Sequence, residues 1–298
     1  MVPPLSGTRC LLFDNGSLRP ESTLNLRVIA SRLQSAIGGE VQAASLFHSS
    51  SISPDELEGV PAQLLEPVLG AWLAAGVDEI VLLPLFFGPS AALTDHLPRQ
   101  LGPLRRHYPG RRIHLGRWIV DPCAANDFRV ATILAENVRE VNAAQALEFP
   151  NVVLVDHGSP QRAVVAVRDL LARQLAVLLA GEIGRLVAAS MERRPGPEFD
   201  FCDPLLAAAL RRPEFSGSRV VVAQQFFSPG RHAGPGGDVA EICAAAEKAN
   251  PGMRTFVTKL IGADPRLVPV LCDRYREARA PAPFWNSGGH GGPPSMGL

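Results

Sequence analysis

Val153-Leu154-Val155-Asp156-His157-Gly158-Ser159 decides how this chain folds, because it is a second copy. Leu11-Leu12-Phe13-Asp14-Asn15-Gly16-Ser17 runs through the same pattern 142 residues earlier (157 − 15). Both stretches are an apolar run, an aspartate, one variable residue and Gly-Ser. Further along, Val81-Leu82-Leu83-Pro84-Leu85-Phe86-Phe87-Gly88-Pro89 returns as Val221-Val222-Ala223-Gln224-Gln225-Phe226-Phe227-Ser228-Pro229, at an offset of 140 (221 − 81). Pro109-Gly110 returns as Pro251-Gly252 at 142 (251 − 109). Matches in one order at nearly one spacing read as duplication of a whole domain. The copies part where chemistry resides: Asn15 stands opposite His157, Ala92 opposite His232, and a position near Phe47 opposite Glu192.

Each copy alternates short apolar runs with amphipathic stretches. In the second, strands are expected over 152–156, 186–191, 219–226 and 253–260, and helices over 160–179, 205–211, 238–250 and from 264 to about 280. Asp203-Pro204 reads as an N-cap and first-turn proline for the helix at 205–211. In the first copy, strands are expected over 10–13, 41–46, 79–85 and 113–118, with a closing helix over 126–141. Such βα alternation predicts an α/β fold: two similar domains, each a four-stranded parallel sheet flanked by helices, with a cleft between them. The expected divisions are 1–145, lacking the imidazoles, 146–280, carrying them, and a flexible Pro/Gly-rich tail at 281–298.

Composition narrows the function. A chain of 298 residues accommodates two cores, and a formal net charge of zero argues against non-specific nucleic-acid binding, which needs a basic surface. The five cysteines form no Cys-x-x-Cys pair, so a thiolate zinc site or redox dithiol is unsupported. No apolar run reaches membrane-spanning length, and residues 1–9 lack a signal-peptide core, so a cytoplasmic location is expected. A monomer is the working expectation for the oligomeric state.

In an open parallel sheet, ligands bind beyond the carboxyl ends of the strands at a switch in strand order. His157 follows strand one of the second copy, Glu192 closes strand two, and His232 lies after strand three. A strand order of 2-1-3-4 would bring all three to one rim. Two imidazoles and a carboxylate suit a divalent transition metal, and Glu192 would also serve as a proton acceptor. A histidine after a strand is also a common core or loop residue, and a glutamate there is commonly solvated; the repeat favours the metal reading, since the imidazoles occur in one copy only. Arg193, Arg194 and Arg231 flank these positions as candidate partners for an acidic ligand. His48 and His96 are lesser candidates from the first copy, and His290 from the tail.

Val155-Asp156-His157-Gly158-Ser159 resembles the HGS motif of the class II chelatases. Phe227-Ser228-Pro229-Gly230-Arg231-His232, with Asp238 shortly after, resembles their PGRH loop. Ala188-Ala189-Ser190-Met191-Glu192 is similar to the strand ending in their acidic residue, and Gly262-Ala263-Asp264-Pro265-Arg266-Leu267 to their closing segment. The resemblance is to the CbiX-type sirohydrochlorin chelatases in two-copy form, over about residues 10–279. It implies ATP-independent insertion of Co²⁺ or Fe²⁺ into sirohydrochlorin, with the metal as substrate and no permanently bound cofactor. His157, Glu192 and His232 would hold the metal and carry the catalysis, and Ser159, Gly230 and Arg231 would contact the tetrapyrrole. Glu198 is the alternative carboxylate, and a non-catalytic metal or tetrapyrrole carrier is the alternative function.

Overall fold

The computed structural model describes residues 7–280. The expected tail at 281–298, His290 included, lies outside the described residues. The first half runs β1 (Thr8–Asp14), α1 (Pro20–Ile37), β2 (Val41–Ser45), α2 (Leu65–Ala74), β3 (Glu79–Pro84), α3 (Leu97–His107), β4 (Arg112–Leu115) and α4 (Arg129–Ala144). The second repeats the order: β5 (Asn151–Asp156), α5 (Arg162–Leu178), β6 (Leu186–Ser190), α6 (Leu206–Ala209), β7 (Arg219–Gln224), α7 (Asp238–Ala249), β8 (Arg254–Val257) and α8 (Leu267–Ala278). Two parallel four-stranded sheets result, ordered β2-β1-β3-β4 and β6-β5-β7-β8. The register repeats as well, with Asp14 beside Ser45 and Asp156 beside Ser190. Val152 to Val155 are wholly buried, as strands covered on both faces must be.

The apolar residues sort into three layers. α2 and α3 cover the outer face of the first sheet, and α6 and α7 that of the second. Between the sheets, α1, α4, α5 and α8 share one continuous core. Here the closing helices are exchanged: α4 packs on β7 of the second sheet, and α8 on β3 of the first. The buried guanidinium of Arg274, on α8, fixes the crossover that follows β4 by donating to Trp118 O and Ile119 O, each at 2.9 Å.

Two local expectations are corrected. Asp203 caps no helix: α6 is a single turn that begins at Leu206, with Leu205 at its N-cap and no side-chain cap. The Asp203 carboxylate instead pairs with Arg193 Nε at 3.1 Å. The fourth strand of each half is also shorter than the apolar runs 113–118 and 253–260 suggest. Trp118, Ile119 and Val120 are buried, but in the crossover rather than in the sheet. Burial there satisfies the hydrophobicity that reads as strand.

Candidate metal site at the carboxyl ends of the second sheet

β5 lies between β6 and β7, so the residues that follow these three strands share one rim. Backbone ladders continue past the strand ends: Met191 N donates to Asp156 O at 2.8 Å and Glu192 N to His157 O at 3.2 Å. Gly158 then turns with φ +89°, and a Cβ there would overlap the Glu192 carbonyl oxygen. Only glycine permits this crossing. Gly16 does the same in the first half, at φ +90° against the Phe47 carbonyl. The motif glycine is therefore a requirement of the backbone in both halves, whereas the histidine occurs in one. The crossing also makes Phe47 the structural counterpart of Glu192.

Asp156 anchors this turn from beneath. It is buried, and its Oδ1 accepts from Ser190 Oγ at 2.7 Å and from Gly158 N at 3.1 Å. Burial pushes its carboxyl above the usual range, with the Ser190 hydroxyl and the charge of Arg168 opposing. Arg168 is itself buried and donates to Ser190 Oγ at 2.6 Å and to Cys202 O at 2.8 Å, tying the rim to the segment that leads into α6. Asp14 and Ser45 repeat the pair in the first half at 2.7 Å, and burial pushes the Asp14 carboxyl up to about 6.

The structure brings the sequence candidates His157, Glu192 and His232 together. The two imidazoles stand edge to face, with centroids 4.6 Å apart. His157 Nε2 lies 3.4 Å from Glu192 Oε1. The other ring nitrogens are already engaged: His157 Nδ1 lies 2.9 Å from Gly158 O, and His232 Nδ1 lies 2.7 Å from Asp238 Oδ2. A carbonyl or carboxylate oxygen only accepts, so each Nδ1 carries a proton, and in the neutral ring the Nε2 lone pair is the one left for a metal. This is the arrangement in which imidazoles bind metals. Glu192 and His157 are more than half and about half exposed, at 59% and 49% of the side chain, so the group opens to solvent. The three adjoin in pairs; among the described residues no set of three or more His, Cys, Asp or Glu is gathered into a ready-made metal cage.

Residues 233–237 separate His232 from Asp238 in the sequence. The structure absorbs that length locally: Gly230 N donates to Ala233 O at 2.9 Å, and Asp238 N returns to Arg231 O at 3.1 Å. Asp238 thereby opens α7 with its carboxylate on His232. An acid at the first turn of a helix after a glycine-rich loop was the available signal.

The remaining candidates separate. Ser159 Oγ accepts from Gln161 N at 3.1 Å, a turn that leads into α5. Gly230 sits where the two halves meet, with Ser17 Oγ 3.8 Å from a Cβ built there. Arg231 projects with 82% of its side chain exposed, 3.8 Å from Asp238. Arg194 is exposed, but Arg193 is held by Asp200 and Asp203, both at 3.1 Å, and so is not available as a free cation. Glu198 turns its carboxylate back over Gly196, within its own loop. In the first half the corresponding rim is apolar: the His96 ring packs on Phe47 at 4.5 Å. His48 is exposed and begins a short 3₁₀ turn.

Residues 151–278 match the CbiX family model. No curated protein matches the chain. Among solved structures, SirB from Bacillus subtilis with Fe³⁺ superposes with a TM-score of 0.68 at 16% identity, covering 92% of this chain and 96% of that one. SirB from Bacillus subtilis subspecies spizizenii in complex with cobalt gives 0.67 at 15%, covering 91% and 94%. CbiX, described as the terminal enzyme for biosynthesis of siroheme in denitrifying bacteria, gives 0.56 at 17%, covering 92% and 100%. At these identities the likeness carries the fold. The chain is a duplicated α/β protein with the fold of these chelatase structures. The match to the CbiX model lies in the second half, which carries His157, Glu192 and His232.

Proposed function

We propose that this protein is a sirohydrochlorin chelatase that inserts Co²⁺ or Fe²⁺ without ATP, with 146–280 as the working half and 1–145 as the supporting half. One observation carries the reading: two adjacent imidazoles with anchored Nδ1 atoms lie at the switch point of one sheet, and the duplicate sheet has neither. Imidazole and carboxylate ligands hold such ions without the grip of thiolates, which suits an ion that must be delivered. His157 and His232 present the ion, and Glu192, within ion-pair reach of His157, accepts a pyrrole proton as the ring closes on the metal. Ser159, Gly230 and the exposed Arg231 face the bound ring, with Arg231 directed to its carboxylates. No helix among the described residues is long and apolar enough to cross a membrane. We place the reaction in the cytoplasm, carried out by a monomer.

A parallel Co²⁺ and Fe²⁺ insertion assay, following the tetrapyrrole spectrum, tests the reading. Wild type should exceed the uncatalysed rate, His157→Ala and His232→Ala should lose most of that excess, and Asn15→Ala should keep it. Tight binding without acceleration would make the protein a carrier instead.

A further inference from the structure

The loops that meet at the seam between the halves are built alike, each by hydrogen bonds within its own half. Ile119 N donates to Phe86 O at 2.8 Å and Val120 N to Phe87 O at 3.0 Å; Ile261 N donates to Phe226 O at 2.9 Å and Gly262 N to Phe227 O at 3.0 Å. Phe87 and Phe227 stack on one another, with centroids 3.9 Å apart and planes 13° apart. Val120 and Gly262 are thus equivalent, as are Gly88 and Ser228, each following its phenylalanine. Each of these loops rests on the first helix of the opposite half. Gly88 lies on α5, where a Cβ would stand 2.9 Å from Val167 Cγ2. Ser228 lies on α1, where Asn25 Nδ2 donates to Ser228 Oγ at 2.7 Å and to Phe227 O at 3.2 Å. Val167 and Asn25 sit equally far beyond His157 and Asn15 (167 − 157 and 25 − 15).

Three positions therefore break the symmetry together. Gly88 lies on Val167, with Val120 buried in the same apolar core, in one place; Ser228, Gly262 and Asn25 make a polar contact in the other. Gly262 is what admits the amide, since a Cβ there would stand 2.6 Å from Asn25 Nδ2. Packing the halves does not itself require the polar version, because the apolar version does the same work across the pseudo-twofold. The difference between the two sides lies in what each loop carries: the polar contact underlies the loop that leads to His232, and the apolar one the loop that leads to Ala92.

We propose that Asn25 is a positioning residue through which the first half fixes the root of the loop that presents His232. This rests on reading His232 as a metal ligand. Apolar contacts are non-directional, whereas two N–H donors on one amide set both the position and the orientation of the Phe227–Ser228 backbone. The supporting half then contributes alignment to a site whose ligands all lie in the other.

The test variant is Asn25→Val/Ser228→Gly/Gly262→Val, which installs the apolar contact where the polar one stands. Because it copies packing the fold already uses, its thermal midpoint should stay within about 5 °C of wild type. Hydrogen exchange of amides 228–237 should accelerate about tenfold or more, with two hydrogen bonds gone, while amides 88–92 keep their rates. The half-saturating Co²⁺ concentration should rise about tenfold. Ser228→Thr, which keeps the hydroxyl, should match wild type in both readouts. Unchanged exchange overturns the proposal. So does faster exchange with unaltered Co²⁺ affinity, which would make Asn25 a structural residue only. Should wild type itself bind no Co²⁺ through His157 and His232, the metal reading fails, and the exchange rates alone decide whether Asn25 fixes the loop. If the triple variant does not fold, the near-isosteric Asn25→Leu is judged by the same measurements.

Discussion

Replacing Asp238 with asparagine should weaken metal binding at His232 without disturbing the fold. The Asp238 carboxylate accepts from His232 Nδ1–H at 2.7 Å and sits about one-third exposed, at 36%. Asparagine keeps the shape and an accepting oxygen but removes the negative charge that faces the Nδ1 proton and holds the ring in place. Losing such a partner of a metal-bound histidine costs about 10- to 100-fold in affinity or activity, or about 1.4–2.7 kcal/mol. Partial exposure screens the charge, so the lower end, about tenfold, is expected here. Asp238 is also in the first turn of α7, where an acid interacts with the helix dipole for about 0.3–1 kcal/mol, so a small drop in stability accompanies the effect. Glu241 occupies the same first turn and is exposed, and Glu241→Gln removes a comparable dipole contribution while leaving His232 untouched. Cobalt titration and metal-insertion rates on both variants, with urea denaturation as the control, separate the two contributions. Equal metal affinity in Asp238→Asn and wild type would refute the reasoning, as would an equal loss in Glu241→Gln.

Gly158→Ala and Gly16→Ala should each destabilise the fold by at least about 1–3 kcal/mol in urea melts, since both force a Cβ into a left-handed crossing; wild-type stability in either variant would refute the backbone requirement. The Asp14 carboxyl, held up at about 6 by burial, favours the folded state when protonated, so it contributes most below about pH 4 and its contribution falls as pH rises toward 6. Asp14→Asn should remove that slope, gaining stability relative to wild type by about 1–3 kcal/mol between pH 4 and pH 6 in paired denaturation curves; parallel curves would disprove it. Arg274→Leu removes the donors to two buried carbonyls of the crossover and should cost about 2–4 kcal/mol, with a lowered thermal midpoint as the readout.

What the sequence revealed follows from where the information lies. The duplication was legible, because apolar runs ending in Asp-x-Gly-Ser and leading into Phe-Phe-x-Pro mark the first and third strands of each half, and a 2-1-3-4 order, once taken, brings residues 157, 192 and 232 to one rim. Strand ends were less legible. Trp118, Ile119 and Val120 are as apolar as a strand because the crossover buries them. Asp203-Pro204 resembles a helix start, but its acid is drawn to Arg193. The pairing of Asp238 with His232 was obscured by an insertion the structure bulges outward. The place of Asn25 had no local signal at all: it shows only when Val167, Val120 and Gly88 are set beside Asn25, Gly262 and Ser228, a comparison that needs the contacts between halves.

The exchange of α4 and α8 has a practical consequence for anyone who would dissect this molecule. A fragment cut at the repeat boundary would keep both imidazoles yet uncover the greasy side of β7 where α4 had lain, and would carry α8 with its native docking surface gone. The unit of expression is consequently the entire duplicated chain.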